Sequence, residues 1–294
     1  MLNTIYVVQY SSEIVKMMIQ DITPKKLNNT YSNKSVNTNS LVVISDEGKF
    51  LLKLDENENT ISYPTAEIIG MELEYTYLFS IDDEDFFFLN SGQEFTNPEG
   101  FEFYDMRALR KDYLYPKHYV FAAYTAYQLI EWYEGTKYCG RCGSLNEHSK
   151  TERAKVCPNC GKTVYPRINP AVIVGVTNGD RLLLTKYRTG FAHNALVAGF
   201  TEIGETLEEC VAREVMEETG IHVKNIRYYK SQPWGIASDI LTGFFCDVDG
   251  DDTITMDATE LKYAEWVPRE EIKLQPLEYS LTNEMMKMFK EGRV

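Results

Sequence analysis

Residues 199–221 read GFTEIGETLEECVAREVMEETGI. Seven of these residues are acidic, and Glu214 and Glu218 sit four apart, a spacing that costs stability on an ordinary helix. The stretch Thr206 to Thr219 has helical periodicity, with Leu207, Val211 and Val215 on one apolar face. Thr206 is placed as N-cap, Glu209 three residues on completes a capping box, and Gly220 stands where a C-terminal stop belongs. On such a helix Glu214, Glu217 and Glu218 share a face. A merely solvated acidic helix would leave Gly199, Gly220 and Arg213 without a reason. Arg213 can pair back to Glu205 and fix the preceding loop against the helix. Three carboxylates on one face offer hard oxygen ligands suited to Mg²⁺ or Mn²⁺ beside a pyrophosphate.

Ahead of this segment lie CGRC and CPNC, separated by fourteen residues. Each pair aims two thiolates at one point, and two such knuckles make a tetrahedral Zn²⁺ site from Cys139, Cys142, Cys157 and Cys160. A four-sulfur site has no open position, so one structural zinc per chain is expected. The spacing favours metal over disulfides in a chain read without a secretion signal. Cys210 and Cys246 stand alone and read as small core residues.

The 294 residues suggest more than one domain. The formal charge of −14 argues against a broad phosphate-binding surface, although bound divalent ions would reverse the sign locally. No stretch is long and apolar enough to span a bilayer, and MLNTIYVVQYSSEIVKMM reads as a first strand, with a helix over 11–20, so a cytoplasmic location is expected. Further strands are expected at NSLVVIS, KFLLKL, TYLFSI and DFFFLN, a polar loop over 28–40, and a turn in the acidic run IDDEDFFF. A helix is expected over 117–134. YPRINPAVIVGVT opens a buried strand, Asn178-Gly179-Asp180 turns a hairpin into RLLLTKY, and IRYYKSQPW, LTGFFCDV and KYAEWVP read as strands before an amphipathic helix at LTNEMMKMFK.

Gly199, Glu205, Arg213, Glu214, Val215, Glu217, Glu218, Gly220 and Ile221 fill every fixed position of a pattern that resembles the Nudix box. With the cysteine module, YPRINPAVIV after it and SQPW at 231–234, the chain resembles the NADH pyrophosphatase (NAD diphosphatase) family of Nudix hydrolases. The resemblance is close from about Tyr138 to Trp266 and weak before residue 105. It implies an α/β (α+β) fold: a Nudix α/β/α sandwich with a zinc ribbon and a mostly β N-terminal domain. The implied division is 1–116 for that domain, 117–134 for a linking helix, 135–165 for the ribbon and 166–294 for the Nudix hydrolase domain. It also implies a homodimer that cuts NAD(H) to NMN(H) and AMP and removes NAD caps from RNA.

Carried over residue by residue, the resemblance gives the catalytic metals to Glu214, Glu217, Glu218, Glu260 and the backbone carbonyl of Ala198. Phe200 and Tyr165 would stack on the nicotinamide, Tyr165 from the partner subunit, against the plainer reading that they are core aromatics. Glu152 and Arg107 match substrate-contacting positions, against the plainer reading of surface charges. Gln232, Pro233, Trp234, Asp239 and Thr282 fall in the remaining substrate segments. Two departures bear on substrate choice. Gly235, Ile236 and Ala237 replace the family's Pro-Phe-Pro with Asp239 in place of Ser, and Thr282 stands where Ala is usual. Losing an aromatic and two prolines is expected to loosen a substrate loop. A pyrophosphatase for another conjugate, such as ADP-ribose or a dinucleoside polyphosphate, and a non-catalytic Nudix-fold binding protein are the rival readings.

Overall fold

A computed structural model describes residues 18–106, 109, 114–189, 193–276 and 279–294. The expected first strand, most of the helix expected over 11–20, and Arg107 lie outside the described residues.

Alternation decides how the C-terminal half is layered. In the strand Asn169–Asn178, Val172, Val174 and Val176 point to one face and Ile173 to the other. Arg181–Tyr187 splits Leu183 from Leu182 and Leu184 in the same way, and Asp239–Val248 splits Phe244 and Cys246 from Phe245. A sheet apolar on both faces needs a helix on each. Leu207–Thr219 covers the first face through Cys210, Val211 and Val215; Leu281–Lys290 covers the second through Leu281, Met285, Met286 and Phe289. The sheet runs Val223–Trp234, Asp239–Val248, Asn169–Asn178, Arg181–Tyr187, Leu261–Pro268, with Val197–Phe200 also paired to Asn169–Asn178. The pairing of Asn169–Asn178 with Asp239–Val248 is parallel and the other pairings are antiparallel. The result is the α/β/α sandwich expected above. The hairpin turn forms at Asn178, with Gly179 at φ 62°.

The N-terminal region is built mostly of strands. One sheet orders Leu27–Asn28, Tyr75–Ile81, Glu84–Leu89 and Leu41–Val43. The other joins Ser45–Asp46, Lys49–Asp55 and Thr60–Ser62, with Glu102–Asp105 added to Lys49–Asp55. Phe50, Leu52, Phe79 and Phe86 pack on the helix Lys117–Gly135, while Leu51, Val42 and Leu89 enclose a smaller core with the short helix Ala66–Ile69. The acidic run turns at Asp82, φ 50°, between paired strands. Lys117–Gly135 buries residues on most of its faces, which fits a helix enclosed by its neighbours. Three short strands, Glu147–His148, Lys155–Val156 and Thr163–Val164, form the cysteine module's sheet.

Candidate active site

The helix Leu207–Thr219 starts where its caps place it. Glu209 N donates to Thr206 Oγ1 at 3.2 Å, and Thr206 N donates to Glu209 Oε2 at 2.8 Å. Gly220 closes it in the left-handed region at φ 71°. Arg213 then organises the acidic face. Its Nε and Nη2 donate to the two oxygens of Glu205 at 2.7 and 2.9 Å, its Nη1 to Glu214 Oε1 at 2.8 Å and Glu217 Oε2 at 3.0 Å, and its Nη2 also to the Phe200 carbonyl at 2.9 Å. This guanidinium holds the Glu205 carboxyl down at about 2. The fork ties strand, loop and helix together in the geometry that suits Arg and not Lys. Gly199 is required by the same packing: a Cβ there would overlap the Glu214 carboxyl.

Glu218 lies deepest, 3% exposed. Burial pushes its carboxyl up to about 8, with the neighbouring charges of Glu214 and Glu260 adding to the effect. Burial is also the main cause of the upward shift of Glu214. Glu218 Oε1 accepts from Tyr187 Oη at 3.1 Å, and that hydroxyl also meets Ala198: the Ala198 N–H donates to it at 3.2 Å, and it lies 3.4 Å from the Ala198 carbonyl. Among the described residues Glu218 Oε2 is buried with no hydrogen-bond partner. An orphaned carboxylate oxygen is costly unless something else binds it, and a hard divalent cation suits such an oxygen. Tyr187 was not singled out by sequence; nothing in a Tyr at the end of a strand signals a contact thirty-one residues away.

The cysteines give a tighter cluster. Among the described residues they form the one group whose ligand atoms all lie within 4.8 Å of one another; the glutamates are spread more widely. Sγ of Cys139 and Cys160 are 3.6 Å apart, and Sγ of Cys142 and Cys157 are 3.4 Å apart. A tetrahedron with Zn–S near ~2.3 Å has edges of about 3.8 Å, so four free thiols at these separations fit zinc. The two knuckles repeat one design. Gly143 N donates to the Cys139 carbonyl and Gly161 N to the Cys157 carbonyl, at 2.8 and 2.9 Å, and both glycines have positive φ.

The other sequence-selected residues separate into groups. Phe200 and Tyr165 are 55% and 56% exposed, which removes core packing as their reason. Tyr165 Oη donates to Glu152 Oε1 at 3.1 Å, joining two candidates on the ribbon. Glu260 is exposed, close enough to raise the pKa of Glu214 and Glu218. Asp239 is buried beside Asn169 Nδ2 at 3.5 Å, and burial pushes it up to about 6. Pro233 is exposed and Thr282 half-buried on the C-terminal helix.

Gln232 departs from its expected role. It is 0% exposed, and its amide is spent internally: Nε2 donates to the Tyr279 carbonyl at 2.7 Å, and Oε1 accepts from Leu281 N at 2.7 Å. It anchors the C-terminal helix. Trp234 packs edge-on to Tyr124, ring centroids 5.6 Å apart, and both Trp234 and Ile236 lie against the N-terminal core. Gly235 sits so close to the linking helix that a Cβ would overlap the Tyr124 carbonyl. The expected loosened substrate loop is thus a docked hairpin tip.

Residues 167–289 match the NUDIX domain model, and residues 136–165 match that of the NADH pyrophosphatase zinc ribbon domain. Over 153 residues the chain is 46% identical to the NAD-capped RNA hydrolase NudC of Shigella dysenteriae, covering 51% of this chain and 58% of that protein. Over 152 residues it is 45% identical to the protein of the same name from Escherichia coli, with the same coverage. The match therefore spans only 58% of the length of these relatives. The crystal structure of a NUDIX hydrolase from Nitrosomonas europaea aligns over 54% of this chain and 92% of its own, with TM-score 0.47 and 23% identity. The expected pairing of a Nudix domain with a zinc ribbon of the NADH pyrophosphatase kind is what the two domain matches find.

Proposed function

We propose, from the Nudix domain and the NADH pyrophosphatase zinc ribbon that this chain carries, that it hydrolyses the pyrophosphate bond of NAD(H) to NMN(H) and AMP and removes NAD caps from RNA. The observation that carries the reading is Glu218 Oε2, buried without a partner among the described residues, on a helix face shared with Glu214 and Glu217. Glu214, Glu217, Glu218, Glu260 and the Ala198 carbonyl would hold Mg²⁺ or Mn²⁺. Those ions, when bound, neutralise pyrophosphate oxygens and activate water. Arg213 keeps the loop 199–205 against the helix, and Tyr187 holds Glu218 beside Ala198.

Exposed Phe200 offers a flat face for the nicotinamide, and Tyr165, steadied by Glu152, a second one. Pro233, Asp239, Thr282 and Arg107 remain proposed substrate contacts; Trp234 would act from its packed position by fixing the hairpin. The zinc is structural. The reading includes a homodimer, a cytoplasmic setting and the four-part division given above. Among the described residues no helix is long and apolar enough to cross a membrane.

The test is product analysis with NADH, NAD-capped RNA, ADP-ribose and diadenosine polyphosphates, in parallel with Glu218→Gln. NADH should yield NMNH and AMP, and the variant should lose nearly all turnover with unchanged circular dichroism. Turnover of another conjugate without NADH cleavage would replace the substrate, and near-wild-type activity in the variant would remove the carboxylate site.

A further inference from the structure

A cleft of about 410 Å³ lies between the N-terminal strands and the zinc ribbon, apart from the glutamate site. Tyr31, Tyr75, Tyr77 and Tyr133 line it, with Lys34, His148 and Lys150. Among the described residues no Asp or Glu lines it, in a chain that carries 44 acidic residues against 30 basic ones. Lys34 is shared with Asp85 at 2.5 Å and lies 5.2 Å from the Tyr77 ring centre. Lys150 is exposed and makes no ion pair among the described residues.

Two further cations stand behind this lining. Lys155 is 7% exposed; its Nζ lies 2.8 Å from His148 Nε2 and 5.6 Å from the Tyr133 ring centre. Arg153, whose guanidinium interacts with the Tyr133 hydroxyl, donates through Nη2 to the Leu78 carbonyl at 2.5 Å and to Asn29 Oδ1 at 3.1 Å, while among the described residues its Nη1 is buried without a well-formed hydrogen bond. Neither cation meets a carboxylate among the described residues. A buried ammonium such as that of Lys155, without a counter-charge, is costly. An anion in the cleft would offset that cost, and tyrosine faces around it suit a flat ring.

We propose that this cleft binds a nucleotide, with its phosphate near Lys150 and in the field of Lys155 and Arg153, and its base against the tyrosines. A free nucleoside monophosphate and a nucleotide within an RNA chain present the same chemistry. The proposal stands independently of the hydrolase reading. One ribbon segment carries residues of the cleft, Ser149 and Lys150, and Glu152, which reaches Tyr165.

The test measures binding, not hydrolysis, on the full chain. AMP is titrated by calorimetry, and a short 5′-monophosphorylated oligoribonucleotide by fluorescence anisotropy over a range of salt. Without added divalent ions, Lys150→Glu should weaken binding about tenfold and lower the salt slope of the oligonucleotide by about one. Lys155→Met should weaken it further and Lys155→Arg restore it, with zinc content and melting as checks on the fold. If Lys155→Met does not fold, Lys150→Glu decides. Binding of AMP with displacement of the oligonucleotide assigns the site to free nucleotides; binding of the oligonucleotide alone assigns it to RNA. Absence of binding by both, or binding insensitive to Lys150→Glu, overturns the proposal.

Discussion

Glu218 shows how one buried carboxyl records the work asked of it. Its carboxyl is raised to about 8 chiefly by burial, against an ordinary glutamate near ~4.3 in the unfolded chain. The folded protein therefore binds a proton here that the unfolded chain has released over that interval. The stabilising contribution is full below the unfolded pKa and is lost as pH rises through about 8. Without added divalent ions, the wild type should lose melting temperature between pH 6 and pH 9 more steeply than Glu218→Gln, which has no such proton to release. Adding Mn²⁺ at high pH should recover the wild type and not the variant, because binding needs the ionised carboxylate. Parallel melting curves across pH for the two proteins would refute this account. The residue types at the site were legible from the stretch 199–221 alone, since capping, helical spacing and the Arg213 pairing are local. Tyr187 and the close approach of Gly199 to Glu214 are contacts between separate elements, which local patterns do not encode.

At the scale of elements, the hairpin Val223–Trp234 to Asp239–Val248 corrects the sequence reading most sharply. Both strands were evident from their apolar and aromatic content. What the tip touches was not, because its partner is a helix over a hundred residues earlier in the chain, Lys117–Gly135. Gly235 lacks a Cβ where the Tyr124 backbone passes, and Ile236 is packed against the N-terminal core. A small residue followed by a compact aliphatic one thus fits this junction. Ile236→Phe should overpack it, at a cost of about 1–3 kcal/mol in unfolding free energy, with KM for NADH unchanged. A tightened KM with full stability would restore the view of this tip as a substrate-stacking position. Among the N-terminal strands, hydrophobic runs located the central ones, but Thr60–Ser62 and Glu102–Asp105 escaped notice because they are short and polar at their ends.

At the scale of the molecule, the zinc ribbon touches both of its neighbours. On one side Tyr31 Oη donates to the Ser149 carbonyl at 2.7 Å, Asn33 Nδ2 to the Lys150 carbonyl at 3.2 Å, and Arg153 reaches Leu78. On the other, the Tyr133 ring of the linking helix lies 5.2 Å from the His148 ring, centroid to centroid, and Lys155 Nζ lies 5.6 Å from the Tyr133 ring centre. Its own sheet is three strands of two residues each, too small to hold a core without a metal. The thiolates therefore stabilise the ribbon, and the ribbon in turn holds the segment 148–155 against the N-terminal strands and the linking helix. Cys157→Ser should lower the melting temperature and the zinc content together. Hydrogen exchange should quicken first over 28–34 and 147–156, and least in the helix Leu207–Thr219, whose packing lies within the Nudix sandwich. With the carboxylate helix intact, kcat should fall less than KM rises, because Tyr165 and Glu152 lose their fixed relation while Glu214, Glu217 and Glu218 keep theirs. A variant that melts like the wild type yet has lost kcat would show that the ribbon acts in the chemistry itself and not as its support.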